Sequence, residues 1–287
     1  MHEPINITSR LESMLTRRIY LPTMALTALM LCSQTAIGQV LENKVLTFGV
    51  VPQQATEKLA REWVPLINLL SETTGLTIEF ATAPSIPEFE ARLAEGFYDF
   101  AYMNPYHFTM FNDAPGYVAI ARQRDHVIQG IIVVSSDLGI ESLEDLSGKN
   151  LAFPAPRAFA ATMIPRTSLD EAAPGHTATF VNSHDSVYQS VAKGLFAGGG
   201  GIVRTLNEVS QELQDKLRVL WVSPGYTGHA FAAHPQISAK LRGSVQRALI
   251  DMASSEKGAQ VIRDLGMNGF INAVDSDWDD VRALHIE

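Results

Sequence analysis

Between Leu46 and Ala121, short apolar runs alternate with segments of helical spacing, and this alternation restricts the fold more than any other feature of the chain. Leu46–Val51 reads as a strand. Ala55–Thr73 reads as a helix with Leu59, Trp63, Leu66, Ile67 and Leu70 on one face, and Leu76–Phe80 as the next strand. Ser85 and Glu88 form a capping box that opens a second helix, which Gly96 stops. Strands at Asp99–Tyr102 and near Tyr117–Ala121 complete a β-α-β-α-β order. That order predicts a mostly parallel sheet with helices on both faces.

A second unit begins near Gln129. Gly130–Val134 is rich in β-branched residues, and Leu151–Phe153, Thr177–Val181 and Arg218–Val222 also read as strands. Ser183 caps a helix that ends at Gly194, and the glycine run Gly198–Gly201 opens a turn to Thr205 that would let the backbone approach a ligand closely, or else a tight strand-to-helix connection. After Pro224-Gly225 come one strand, Ala230–Ala233, and helices over Ser238–Ala253, Glu256–Leu265 and Ser276–Leu284. The first unit alone, about 85 residues, is short for an α/β domain, so the carboxyl-terminal segment is expected to return and complete it. The expected division is 39–128 plus 225–287 for lobe one and 129–224 for lobe two. Crossings near Val127–Gly130 and Val222–Tyr226 then form a double hinge suited to closure around a ligand.

Asp99–Phe108 places a polar and aromatic cluster, Tyr102, Asn104, Tyr106 and His107, at the carboxyl end of a strand, where open α/β sheets hold ligands. Gln53 follows the first strand in the same way. These side chains offer hydroxyl, amide and imidazole groups, an inventory suited to holding a small anion. The segment Arg157, Ala158, Phe159, Ala160 to Thr162 opens a helix, where backbone N–H groups and the dipole favour an anion, and Arg157 would add a charge. His184 falls in the first turn after Ser183. Gly200 lies in the glycine run, with Arg204 and Thr205 just beyond. Tyr226 and His229 are weaker candidates, and Trp63, Trp221 and Trp278 read as packing residues.

The chain has 287 residues, a net charge of −9, 46% hydrophobic and 18% charged residues. It therefore lacks the basic footprint of a nucleic-acid binder. Arg17 and Arg18 precede an apolar segment, Ile19–Cys32, and Ala36-Ile37-Gly38 reads as a cleavage site. Residues 1–38 are thus expected to be an export signal, with Met14 as an alternative start and an uncleaved anchor as the alternative fate. Cys32, the only cysteine, lies inside this segment, so no disulfide or thiolate is expected in the mature chain. Gly-x-Ser-x-Gly, His-Glu-x-x-His and Gly-x-Gly-x-x-Gly motifs are missing, and the glycine run lacks the Gly-Lys-Ser/Thr ending of a phosphate loop.

The stretches Phe48-Gly-Val-Val-Pro52, Glu95-Gly-Phe-Tyr-Asp-Phe-Ala-Tyr102, Asn104-Pro-Tyr-His107, Ser142-Leu-Glu-Asp-Leu-Ser-Gly-Lys149, Ser183-His-Asp185 and Leu217–Pro224, in this order, carry a family resemblance. Over roughly Leu46–Leu284 the chain resembles the phosphate/phosphite/phosphonate substrate-binding proteins of ABC transporters, the PhnD-like type 2 periplasmic binding proteins. The resemblance implies a two-lobed α/β fold with a cleft between the lobes. It also implies a periplasmic location, a small oxyanion as ligand, an ABC permease as partner, a monomeric state and no cofactor or catalysis. A membrane histidine kinase is the alternative partner. The chain departs from the family where a Ser/Thr-rich loop is usual, which here reads Phe153–Thr162, and where an acidic residue is usual, which here is Gly198–Gly201.

Overall fold

Two sheets carry residues 44–286, the part of the chain that the computed structural model describes. The expected export signal lies outside these residues. In the first sheet, β1 (Leu46–Val50) pairs in parallel with β2 (Ile78–Ala81) on one side and β3 (Phe100–Met103) on the other. The connections are α1 (Thr56–Thr74) and α2 (Ile86–Ala94). The α1 face foreseen from spacing is the buried one, with Leu59, Trp63, Leu66, Ile67 and Leu70 against the sheet. Ser85 caps α2 by accepting from Glu88 N. Asn104 caps α3 (Pro105–Asp113), with Pro105 in the first turn, where its missing N–H costs nothing. Strand β4 (Val118–Gln123) follows.

The chain then leaves this sheet through β5 (Val127–Ile128). The second sheet contains β6 (Gly130–Ser135), β7 (Asn150–Phe153), β8 (Thr177–Phe180), β9 (Gly198–Ile202) and β10 (Leu217–Val222), in the order β10-β6-β9-β7-β8. A π-helical turn, Phe159–Met163, runs into α4 (Ile164–Ala172), and Ser183 caps α5 (His184–Ala192). Short helices α6 (Val203–Asn207) and α7 (Gln211–Asp215) precede β10. The chain returns through β11 (Tyr226–Thr227), which pairs antiparallel with β5, so the two connections between the sheets are hydrogen-bonded to each other. Strand β12 (Ala230–Ala233) then inserts between β3 and β4, antiparallel to both. Helices α8 (Ala239–Asp251) and α9 (Glu256–Asp264) and the edge strand β13 (Phe270–Asn272) finish this sheet.

Three expectations change. The first sheet is mixed and not mostly parallel, because the returning chain inserts β12 antiparallel between β3 and β4 and adds β13 antiparallel at the edge. The helix foreseen over Ser276–Leu284 is a 3-10 turn, Asp275–Trp278, followed by the single turn α10 (Asp279–Arg282). Trp278 is drawn inward, its indole N–H donating to Gly228 O at 2.8 Å. The glycine run is not a turn. It is the fully buried strand β9, because its neighbours occupy the space that side chains would need. A Cβ on Gly201 would collide with Tyr188, and one on Gly200 with the Ala161 carbonyl oxygen. Gly130, on the adjacent strand β6, meets the Ala160 carbonyl in the same way. The π-helical turn can therefore rest directly on two neighbouring strands only because both positions lack a side chain.

Gly200→Ala should lower stability by about 1–3 kcal/mol, the usual cost of overpacking. Gly139, whose Cβ would meet nothing within 4 Å, is the control. Gly139→Ala should leave the urea midpoint within about 0.5 kcal/mol of the parent.

Candidate ligand-binding cleft

Between the sheets lies a small cavity of about 10 Å³, lined by residues from both sides. Gln53, Asn104 and Ile86 come from the elements of the first sheet. Ala158–Ala161, His184 and Ile202 come from those of the second. Its charged neighbours stand behind this lining. Such a cavity has room for about one water, so its walls must part before a larger ligand can enter.

The orientation of both amide side chains follows from their partners. The Arg204 guanidinium has donors only. It donates from Nη2 to Gln53 Oε1 at 2.8 Å, which turns the Gln53 amide oxygen away. Gln53 Nε2 then stands 3.1 Å from His229 Nε2, which accepts. His229 therefore carries its ring proton on Nδ1. Burial, reinforced by Arg204, pushes its pKa well below the ordinary value, which keeps the ring neutral. Asn104 Oδ1 accepts from His107 N at 2.7 Å, as a helix cap does. Asn104 Nδ2 donates to Arg157 O at 3.1 Å, bridging the two sides. Both amides thus have their oxygens committed; Gln53 Nε2 has one N–H beyond its contact with His229, whereas Asn104 Nδ2 also lies 3.1 Å from His107 Nε2 and so faces protein groups on both sides.

The backbone adds donors of the same kind. Thr162 N and Met163 N donate to Ala158 O, so Phe159, Ala160 and Ala161 precede the first intrahelical bonds of the π-helical turn. His184 N donates to Gln53 O at 3.0 Å and ties the start of α5 to the loop after β1. The His184 ring lies 2.9 Å from Thr205 Oγ1 through Nδ1, while its Nε2 is buried and without a partner. Burial first, then Arg204, pushes the His184 pKa down to about 3, so this ring is also neutral.

Ion pairs flank the cavity. Glu90 accepts from His107 Nε2 at 3.0 Å and from Arg157 Nη1 at 3.3 Å. Arg204 Nη1 donates to Glu208 Oε1 at 3.1 Å, and Gln54 Nε2 donates to Glu208 Oε2 at 2.8 Å. On the hinge side a larger cavity of about 500 Å³ reaches from His126 and His229 to Arg204 and Glu208. Among the described residues no group of three or more His, Cys, Asp or Glu is placed to hold a metal ion, and no helix is long and apolar enough to cross a membrane.

Of the residues singled out in the sequence, Gln53, Asn104, Ala158, Phe159, Ala160 and His184 line the small cavity. Tyr102 lies behind it, stacked on His229 at 4.7 Å and packed against Trp63. Tyr106 is half-buried against the apolar core, as is Tyr226, whose ring meets Phe159 at 5.6 Å. His107 is fully buried and engaged by Glu90. Thr205 is buried behind His184, and Thr162 is buried with its hydroxyl unpaired. Arg157 departs from the expected anion contact: its guanidinium is half exposed and pairs with Glu90. Gly200 is pressed against Ala161 O and the Phe153 ring, so its lack of a side chain serves packing within the protein.

Sequence reasoning missed Glu90, Glu208 and Gln54. Glu90 had a signal, because its position falls among Ile86, Phe89 and Leu93 on the buried face of α2. Glu208 stands four residues after Arg204, a spacing that pairs charges on a helix. Gln54 had no signal beyond its neighbour Gln53.

A family model described as "ABC transporter, phosphonate, periplasmic substrate-binding protein" matches residues 48–278. The chain belongs to this family. The Phosphate-import protein PhnD of Mycolicibacterium smegmatis is 22% identical over 280 residues, covering 83% of this chain and 84% of that protein. PhnD1 from Prochlorococcus marinus, solved in complex with methylphosphonate, superposes with a TM-score of 0.77 at 17% identity, over 84% of this chain and 97% of that one. The binding component of an ABC phosphonate transporter from Pseudomonas aeruginosa gives 0.76 at 17% identity, over 84% and 85% of the two chains. The fold is the two-lobed α/β arrangement of these periplasmic binding proteins.

Burial raises the Glu90 pKa, but the His107 hydrogen bond and charge, with Arg157, lower it further, and the carboxyl ends below its ordinary value. A carboxylate of this kind stabilises the fold fully above the ordinary glutamate value, about 4.3, and loses that contribution as the pH falls through the lowered native value. Glu90→Gln should therefore reduce the melting temperature at neutral pH and flatten its decline on the acid side, measured by thermal unfolding across the carboxylate range.

Proposed function

We propose that the protein captures a small phosphorus oxyanion, of the phosphate, phosphite or phosphonate kind, and presents it to an ABC permease. The observation that carries this reading is the lining of the small cavity: two amides with their oxygens turned away, the leading N–H groups of a helical turn, and a neutral imidazole. An anion gains a hydrogen bond from each amide or backbone N–H it meets there and finds no carboxylate in the lining, so there is no repulsion from an immediate neighbour. The leading N–H groups also carry the positive end of the local backbone dipole. Ligand contact is assigned to Gln53, Asn104, Ala158, Phe159, Ala160 and His184, with Arg204, Thr205, His107 and Arg157 supporting them.

Lobe one comprises 39–128 and 225–287, and lobe two 129–224, with β5 and β11 as the hinge. Because the closed cavity holds about one water, capture requires the lobes to part and close again. Family membership favours transport over sensing, and the protein acts without catalysis, as a monomer, after export through residues 1–38. The amino terminus of the protein recovered from the periplasm should then be Gln39, read by peptide mapping.

A thermal-shift screen against phosphate, phosphite, hypophosphite, methylphosphonate, arsenate, arsenite and sulfate tests the ligand class. A phosphorus oxyanion at 100 times its Kd stabilises the folded state by about 2.7 kcal/mol and raises the melting temperature accordingly. Stabilisation by an amino acid or organic cation, with none by any oxyanion, would overturn the reading. Asn104→Leu should weaken the selected anion by about tenfold or more, the loss expected for a hydrogen bond to a charged group.

A further inference from the structure

Gln53 follows β1 of the first sheet, whereas Arg204 lies in α6, just after β9 of the second. Their hydrogen bond, 2.8 Å from Nη2 to Oε1, joins residues 151 positions apart and spans the cleft. Arg204 is itself held from behind. Its Nη1 donates to Glu208 Oε1, whose second oxygen accepts from Gln54, and Lys58 Nζ donates to the Glu208 carbonyl at 3.1 Å. The guanidinium is thus a fixed donor. It lines the hinge-side cavity and stands behind the small one.

We propose that Arg204 is a positioning residue that acts on the ligand through Gln53, fixing the amide so that it turns an N–H toward the cavity. This rests on the oxyanion reading above and deepens it by assigning the source of one donor. His229 alone does not choose the orientation. A flipped amide would place its oxygen at His229 Nε2, and a shift of the ring proton from Nδ1 to Nε2 would satisfy it equally well. Arg204 removes that degeneracy, because a donor-only group can be met only by the oxygen. Parting of the two sheets breaks the Arg204–Gln53 bond, so the donor is set as the cleft closes. The cavity then offers a neutral N–H, while the cation that orients it remains paired with Glu208 behind the wall.

Isothermal titration of methylphosphonate and inorganic phosphate into the parent protein and variants tests this through a double-mutant cycle. Arg204→Met, which keeps the bulk, should weaken binding by about tenfold, as should Gln53→Leu. The Gln53→Leu/Arg204→Met pair should bind no more weakly than Gln53→Leu alone. Arg204→Lys keeps a donor-only cation and should restore most of the affinity. A loss from Arg204→Met that persists undiminished beside Gln53→Leu means direct contact between guanidinium and anion, for example from the hinge-side cavity, and overturns the proposal. So does unchanged affinity in Arg204→Met, or a loss that Arg204→Lys does not rescue. If the parent protein binds neither anion but another oxyanion stabilises it, the cycle is run on that anion. If none does, the oxyanion reading itself falls, and this proposal with it.

Discussion

The backbone of the π-helical turn lies against two glycines, Gly130 and Gly200, and this contact determines where the cleft can be. The carbonyls of Ala160 and Ala161 occupy the places that side chains would fill on β6 and β9. With the turn pressed onto the sheet, its first residues line the cavity shared with Gln53, Ile86 and Asn104. Ala158, Phe159, Ala160, Ala161 and Ile202 join the same apolar cluster as Val50, Ile86 and Phe111. The two lobes therefore share a dry contact around the cavity. Water exclusion strengthens each hydrogen bond made there, and raises the cost of any group left unpaired.

Charge is arranged to suit that dryness. A lone buried ion costs several kcal/mol, so charges near the cleft are paired and stand behind its lining. Glu90, His107 and Arg157 form one group, and Arg204, Glu208 and Lys58 another. Each reaches across the cleft, Arg157 to Glu90 on one side and Arg204 to Gln53 on the other. Between them the lining is neutral. His184 and His229 are neutral for the same reason: burial and the nearby guanidinium both oppose a second positive charge.

Part of the site was legible because it is local. Ser85 and Ser183 are readable as caps, since a cap needs only its own helix. The apolar face of α1 follows from spacing within a single segment. The glycine run misled, because glycine reads as a turn unless the neighbouring Tyr188 and Ala161, which need the space, are known. Arg157 and Arg204 were both expected at the anion. The groups they meet in the structure, Glu90 and Gln53, are 67 and 151 residues distant along the chain.

The sequence by itself determined most of the strand and helix order, the buried face of α1, the caps at Ser85 and Ser183, and the family resemblance. These depend on periodicity and on contacts a few residues apart. Tertiary structure alone decided which side chains line the cavity and which way their amides point. An amide reads the same in a sequence whichever way it is turned. Its orientation is chosen by the donor that reaches its oxygen, and for Gln53 that donor, Arg204, arrives from the other sheet.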